Sequence, residues 1–270
     1  GHYCSGSSIP ASEVYAEEGI LQISPGSTNP TLTERGAKFK NVFRVCGRDD
    51  QQGVIGADFA LDKFKGKVVA VVHDKSQYGK GIADFAKARF NEKGVKEVMY
   101  EGINVGDKDF TALITRMKQA KVEVVYFGGY HTEAGLLVRQ AKEQALDIAL
   151  IGGDALFNNE FASIAGPAAA NAYVTFDADP RKNPIAAPVV AKFKAQGYDP
   201  EGYTIYTYAA IQTYAQAVAK AKSTDVDKVR AAMYGQTFKA PSGIETAATH
   251  PGNISSNCAS GNVTWAVSGN

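Results

Sequence analysis

The chain has 270 residues, of which 44% are hydrophobic and 21% charged, and its formal net charge is +1. This length allows two modest domains, and the balanced charge argues against a nucleic-acid-binding surface. No apolar run approaches the ~20 residues that a membrane-spanning helix needs.

Strands and helices are predicted to alternate along the first part of the chain. The opening residues Gly1–Cys4 are typical of the end of a buried strand, and Ser5–Ser8 of a loop before a helix. After that helix, the hydrophobic pattern predicts strands at 20–24, 41–47, 66–74, 96–103, 122–129 and 147–154, and helices at 51–64, 79–94, 108–120, 132–145 and 158–166. This alternation indicates an α/β fold with a mostly parallel sheet flanked by helices.

The pattern changes after residue 172. The stretch 173–188 carries three prolines and is the best linker candidate in the chain. Helices are predicted at 188–197, 203–222 and near 227–234. From Ala240 the sequence turns polar, with a hairpin strand predicted at 262–267.

The loops that end the predicted strands carry the candidate site, because ligands bind outside the carboxyl ends of strands in such sheets. Two loops, HYCSGSS and SPGST, offer backbone amides and hydroxyls that suit an anion. Three others place Tyr78, Tyr130 and the acid Asp154 at strand ends. An anion site together with a lone acid is the complement of a zwitterion.

Each of these residues also has a purely structural interpretation. Serine and threonine after a strand often serve as turn or N-cap residues, Asp154 could cap a helix, and the tyrosines could pack. The three cysteines have no CxxC spacing and allow either one disulfide or none, and the four histidines show no metal-ligand spacing. We expect no cofactor. An enzyme that uses Ser5 and His73 is a weaker alternative, since no nucleophile elbow or phosphate loop is present.

Several collinear motifs resemble the periplasmic leucine/isoleucine/valine-binding protein family, the type I solute-binding proteins of ABC importers. They are GHYCSGSSIPASEVYAEEGILQISPGSTNP, VVHDKSQYGKG, GINVGDKDFTALI, YFGGYHTEAGLLVRQA and SIAG. The segments GRDDQQG and GDKDF are most similar to relatives that take GABA and small neutral amino acids. The likeness is dense from Gly1 to about Phe238 and fades afterwards.

The resemblance implies a set of ligand-binding residues. Ser5, Gly26 and Thr28 match the clamp on the ligand carboxylate, and Asp154 matches the acid that takes the amine, where leucine-binding relatives carry Glu. The predicted wall of the site is formed by Tyr3, Tyr78, Tyr130 and, as a weaker addition, Tyr206.

The resemblance also implies a two-lobe protein. Lobe one is predicted at 1–47 and 179–239, and lobe two at 48–178 plus part of 240–270, with the ligand bound between them. The expected function is a periplasmic, monomeric protein that captures a branched-chain amino acid, GABA, proline or alanine and delivers it to the membrane permease of an ABC importer. The alternative is a ligand-sensing receptor or regulatory domain of the same fold.

Relatives of this family begin with about two further βα units before the stretch that matches GHYCS. We therefore expect lobe one to be incomplete at its N-terminus, and a chain of these residues alone to be poorly soluble or to bind weakly. Cys4 matches a cysteine that in many relatives pairs with one further upstream.

Overall fold

The computed structural model describes residues 1–177, 179–234, 237–242, 246–250, 253–256 and 266–269. The chain forms two compact units: unit 1 comprises 1–48 and 177–264, and unit 2 comprises 49–176 and 265–270. The predicted lobes, with boundaries near Gly47, Ala178 and Ala240, stay a prediction, and Ala178 lies outside the described residues.

Unit 2 is built on one six-stranded sheet of order β11-β7-β6-β5-β3-β4. Its strands are β3 (Val69–His73), β4 (Met99–Gly102), β5 (Val124–Gly128), β6 (Ala149–Gly152), β7 (Ala172–Phe176) and β11 (Ala266–Gly269). All neighbours are parallel except β11, which pairs antiparallel with β7. Its helices are α2 (Asp49–Lys63), α3 (Gln77–Glu92), α4 (Thr111–Gln119), α5 (His131–Glu143) and α6 (Asn159–Ala165).

The strands of unit 2 are buried on both faces, as the apolar runs predict. Successive strand residues alternate between two cores, so that Val71 packs with α2 and α3 while Val72 packs with α4, α5 and α6. Each strand and helix predicted between residues 49 and 165 is confirmed; the strands are shorter than predicted, and α2, α3 and α5 begin one or two residues earlier. This sheet therefore fixes which loops leave its carboxyl edge.

Unit 1 has a smaller parallel pair and a separate antiparallel sheet among its described residues. The parallel pair is β1 (Gln22–Ser24) with β2 (Val42–Arg44), and the antiparallel order is β10-β9-β8. The remaining elements are α1 (Ser5–Glu17), α7 (Ala187–Ala195), α8 (Thr204–Ala221), α9 (Val226–Met233), β8 (Thr237–Phe238), β9 (Thr246–His250) and β10 (Asn253–Ser256). Ile23 and Phe43 of the parallel pair join a core with side chains of α8 and α9.

The opening strand predicted at Gly1–Cys4 is wrong, because these residues form no ladder with β1. The carbonyl of His2 instead accepts hydrogen bonds from the hydroxyls of Ser8, Ser24 and Ser27. The loop predicted at Ser5–Ser8 is wrong as well, since these residues form the first turn of α1. Hydroxyl groups thus replace strand pairing at this point of the chain.

The linker predicted at 173–188 begins too early. Residues Ala172–Phe176 form β7 inside the sheet of unit 2, where Val174 and Tyr173 pack on opposite faces. The three prolines, which guided the prediction, all follow that strand. The strand predicted at 262–267 lies outside the described residues at 262–265, and the described strand is β11.

Candidate functional site

The N-terminus of α1 supplies the first candidate group in unit 1. Ser5 is the first residue of this 13-residue helix and is 1% exposed. The carbonyl of Cys4 already accepts from the N–H groups of Ser7 and Ser8, and the amides before them have no partner inside the helix. A helix start with free amides and a positive dipole end favours an anion.

The loop after β1 supplies the second candidate group. The hydroxyl of Ser5 accepts a hydrogen bond from the Asn29 N–H at 3.2 Å, which ties this loop to α1. Thr28 is fully buried, and its hydroxyl has no hydrogen-bond partner among the described residues. A buried hydroxyl without a partner is costly unless something supplies its bond. The Thr28 hydroxyl is therefore a candidate to bind a ligand.

Ser27, a neighbouring hydroxyl in the same candidate loop, has a structural role instead. Its Oγ donates to the carbonyls of His2 and Tyr3 and lies 2.7 Å from the Ser8 hydroxyl. These contacts hold the opening residues of the chain against the loop. Of the two adjacent hydroxyls, that of Ser27 therefore stabilises the fold, whereas that of Thr28 has no hydrogen-bond partner among the described residues.

Aromatic rings surround Gly26, the third clamp residue. A Cβ at this position would lie 2.9 Å from Cδ2 of Tyr3, so that only glycine lets the ring approach the backbone. Tyr3 meets Tyr203 edge-on at 5.6 Å, and Tyr203 meets Tyr206 at 5.3 Å between ring centroids. The structure therefore brings Tyr3 and Tyr206, two of the predicted wall residues, into one aromatic row through Tyr203.

Asp154 is the centre of the candidate site in unit 2. It begins a 3₁₀ turn two residues after β6 ends and is 4% exposed. Its Oδ1 accepts from the Tyr78 hydroxyl at 2.8 Å and from Nε2 of Gln52 at 2.6 Å. Two neutral donors thus hold the Oδ1 of this buried carboxylate.

Gln52 fixes Asp154 from a second direction. Its Oε1 accepts from the Asp154 N–H at 2.6 Å and from Oγ1 of Thr175 at 2.7 Å. Every one of these groups is buried, and a fully connected buried network has one preferred geometry. The carboxylate is therefore oriented before any ligand arrives.

Two tyrosines adjoin this acid. Burial, reinforced by the charge of Asp154, raises the pKa of Tyr78 well above its usual value, so the phenol stays protonated and donates. The ring of the half-buried Tyr130, which precedes α5, lies 5.3 Å from that of Tyr78. The structure thus groups Tyr78, Tyr130 and Asp154 as predicted from their positions after β3, β5 and β6.

Sequence reasoning missed the residues that support these groups. Gln52 and Thr175 orient Asp154, Tyr203 links the aromatic row, and Arg44 holds the loop of Thr28. The one available signal was Arg44, a lone charged residue inside the apolar run NVFRVCG. The others are polar residues in ordinary contexts.

An α/β fold with an oriented, buried acid just after a strand of a parallel sheet is typical of a protein that binds a small molecule. The chain belongs to the periplasmic binding protein family, whose model matches residues 3–260. This family is one of binding proteins rather than enzymes, and the resemblance and the fold class predicted from the motifs are confirmed.

Two curated relatives and one solved structure illustrate the match. The Leu/Ile/Val-binding protein homolog 1 of Brucella melitensis is 55% identical over 233 residues, which are 86% of this chain and 62% of that protein. A leucine-, isoleucine-, valine-, threonine- and alanine-binding protein of Pseudomonas aeruginosa is 41% identical over 90% of this chain and 65% of its own length. The leucine-binding protein LivK of Thermotoga maritima has a TM-score of 0.84 at 27% identity, covering 92% of this chain and 71% of that one.

The chain therefore spans a little over three fifths of the length of the curated relatives it matches, 62% in the first case. Within the part of the chain that the structure describes, no helix has the length and apolarity to cross a membrane. No group of three or more His, Cys, Asp or Glu residues is placed to hold a metal ion in that same part.

Proposed function

We propose that this chain captures a small neutral amino acid on the outer side of the cytoplasmic membrane and passes it, as a monomer, to the permease of an ABC importer. The names of its relatives support this proposal, since they are leucine-, isoleucine- and valine-binding proteins. A solved relative from Streptococcus pneumoniae, LivJ, is described in complex with isoleucine and is 26% identical.

The observation that carries the proposal is the pairing of two opposite recognition chemistries in one chain. Unit 1 offers amides and the unpartnered Thr28 hydroxyl, which suit a carboxylate. Unit 2 offers Asp154, a buried acid bound by neutral donors, which suits an ammonium group. Tyrosine rings in each unit supply apolar surface, and no basic side chain is needed for a neutral ligand.

The identity of the acid extends the proposal to ligand length. Asp154 is one methylene shorter than the Glu that the family resemblance implies for leucine-binding relatives. A shorter acid tolerates a longer spacing between amine and carboxylate. We therefore include GABA in the proposed ligand range, with valine, leucine, alanine and proline.

A thermal-shift screen tests both levels of this proposal. Valine, leucine, alanine, proline and GABA are each added to the protein, with aspartate and lysine as charged controls. A ligand that binds only the folded state raises the melting temperature. Shifts with the neutral compounds alone would support the proposal; shifts only with charged amino acids, or none, would overturn it. Shifts with branched-chain amino acids but not GABA would overturn only the argument from length.

A further inference from the structure

Arg44 heads the largest fully buried side chains among the described residues, at 1% exposure. It is the last residue of β2, where Val42 and Phe43 before it are apolar and completely buried. Burying a guanidinium is costly unless each of its donors is used. Its hydrogen bonds therefore show what the residue is for.

Three of its hydrogen bonds go to consecutive parts of one loop. Nη1 donates to the carbonyls of Ser27 at 3.1 Å and of Asn29 at 3.0 Å, and Nη2 to the carbonyl of Pro30 at 3.3 Å. A further bond from Nη2 reaches Oγ1 of Thr33 at 2.5 Å. Arg44 thus contacts the loop on both sides of Thr28, at Ser27 before it and at Asn29, Pro30 and Thr33 after it.

The bond to Ser27 has a directional consequence. The Ser27 carbonyl and the Thr28 N–H belong to the same peptide group, which is planar and trans. In such a group the two point in opposite directions. An arginine that holds the carbonyl therefore aims the Thr28 N–H away from itself, and the N–H of Thr28 is a predicted clamp donor.

The other side of the loop is held by α1. The Asn29 N–H donates to the Ser5 hydroxyl, and the Asn29 side chain in turn accepts from the Thr31 N–H at 2.9 Å. Without Arg44, these local contacts would remain, and the Ser27 carbonyl would keep the long, weak bond from the Cys46 thiol at 3.7 Å, which constrains the peptide far less than a guanidinium does. The contact from β2 is thus what sets the direction of that peptide.

We propose that Arg44 is a positioning residue for the anion subsite: it orders the loop of Thr28 for a carboxylate that it does not itself touch. This inference rests on the proposed function, because it assumes that the anion is the carboxylate of an amino acid.

Lysine at position 44 would keep the positive charge but could not form the same set of hydrogen bonds to the loop. An ammonium group is a compact point charge and cannot span the four acceptors that the planar guanidinium meets. Arg44→Lys therefore separates positioning from charge. Arg35→Lys is the matched control, because Arg35 is a partly buried arginine of the same unit whose guanidinium stacks on Phe39 and pairs with Glu13.

The test compares valine with valinamide, which keeps the side chain and the amine but has no carboxylate. Calorimetric titration of the whole chain should show that Arg44→Lys raises the dissociation constant of valine by about tenfold or more, while that of valinamide changes little. The ratio of the two dissociation constants should therefore move closer to one. Arg35→Lys should leave the ratio of the two dissociation constants unchanged. An unchanged ratio in Arg44→Lys, or an equal loss for both ligands, would overturn the inference.

Two further measurements keep the test decisive. If Arg44→Lys does not fold, Thr33→Val removes the Thr33 hydroxyl that accepts from Arg44. It should bring the ratio of the valinamide and valine dissociation constants closer to one, by a smaller factor than Arg44→Lys. An unchanged ratio would count against the inference. Amide hydrogen exchange without ligand should be faster at residues 28–31 in Arg44→Lys and unchanged there in Arg35→Lys, because the loop contact of Arg35 is to the Leu32 carbonyl at 3.4 Å. If the parent chain binds none of the neutral amino acids of the thermal-shift screen, the proposed function fails, whereas unaltered exchange of the loop in Arg44→Lys would count against the role of Arg44.

Discussion

The two candidate subsites differ in the kind of group that does the work. In unit 1 the proposed anion subsite consists mainly of backbone, with the helix start at Ser5, the peptide at Gly26 and the loop of Thr28. In unit 2 the cation subsite is one side chain, Asp154, oriented by Tyr78 and Gln52. Ligand binding at a backbone subsite depends on the residues that hold the loop in place. Ligand binding at a carboxylate subsite depends on the carboxylate itself, so that replacing one of its oxygens is enough to weaken it.

This difference predicts where substitutions should act. In unit 2 the largest effect should come from the acid itself, and its neighbours should mainly affect stability. In unit 1 the largest effects should come from residues that shape the backbone of the loop, such as Arg44 behind it and Gly26 beneath the Tyr3 ring. The following predictions are ordered by the size of the expected effect.

Asp154→Asn should weaken binding of a neutral amino acid by about 2–5 kcal/mol, because it leaves the ligand ammonium without its counter-charge in a buried place. An asparagine oxygen can still accept the bonds from Gln52 and Tyr78, so the fold should be affected far less. Calorimetric titration measures the effect. Asp147→Asn is the control, since Asp147 lies on the exposed loop before β6 and pairs with Lys142. Unchanged affinity in Asp154→Asn would remove this residue from the site.

Gly26→Ala should weaken binding by about 1–3 kcal/mol, because the new methyl would lie 2.9 Å from the Tyr3 ring and force the ring or the loop to shift. Gly6→Ala is the matched control, since a Cβ there meets nothing within 4 Å and alanine favours the helix. Titration of both variants with valine compares them. A loss of affinity in the control alone would contradict the assignment of Gly26.

Tyr78→Phe should lower the free energy of unfolding by about 1–3 kcal/mol, because it removes the donor to Asp154 and the acceptor of the Ala155 N–H. Tyr126→Phe is the matched variant on the same side of the sheet. The Tyr126 hydroxyl is buried and has no hydrogen-bond partner among the described residues, so its removal should leave stability unchanged or raise it. Urea unfolding measures both, and equal losses would mean that the Asp154 network adds little.

A second buried acid of unit 2 tests whether burial alone is costly there. Burial, with a smaller contribution from the charge of Glu133, raises the pKa of Asp74. An acid whose native pKa is raised loses stability as the pH rises from its unfolded pKa through its native one. Asp74→Asn should therefore stabilise the protein near neutral pH, and the gain should shrink as the pH falls.

Substitution of Asp109 should change the stability near neutral pH in the opposite direction to substitution of Asp74. Hydrogen bonds from Thr111 lower its pKa, so its ionised form adds stability that is present above the unfolded pKa and lost as the pH falls through the native one. Asp109→Asn should destabilise at about pH 7 and have a smaller effect at about pH 3.5. Urea unfolding of both variants at the two pH values checks the signs, and the same sign for both would contradict the assignment.

The positions of Tyr78, Tyr130 and Asp154 could be predicted because each follows an apolar run that the sequence marks as a buried strand. The residues that orient Asp154, such as Gln52, could not be predicted in this way. Gln52 and Asp154 are 102 residues apart, and nothing local in a helix that begins DDQQG reveals which strand end its side chain will reach. Such contacts depend on tertiary packing, whereas hydrophobic periodicity reports local structure.

Unit 1 shows the same limit at short range. The motif resemblance predicts Thr28 as a ligand-binding residue, but the neighbouring Ser27 is equally plausible from residue type. Only the carbonyls of His2 and Tyr3, which Ser27 occupies, distinguish the two hydroxyls. The error at Gly1–Cys4 has a related origin, because hydroxyl groups that satisfy a backbone carbonyl leave no signal in a hydrophobic pattern.

The most direct test of the account compares two ligands in the parent chain and in Asp154→Asn. Valine and 3-methylbutanoate share the side chain and the carboxylate, and only valine carries the ammonium. Calorimetry should show that the parent strongly prefers valine and that Asp154→Asn loses most of this preference, with 3-methylbutanoate bound about equally by both proteins. A preference for valine that survives in Asp154→Asn would contradict the claim that unit 2 recognises the ammonium through this acid.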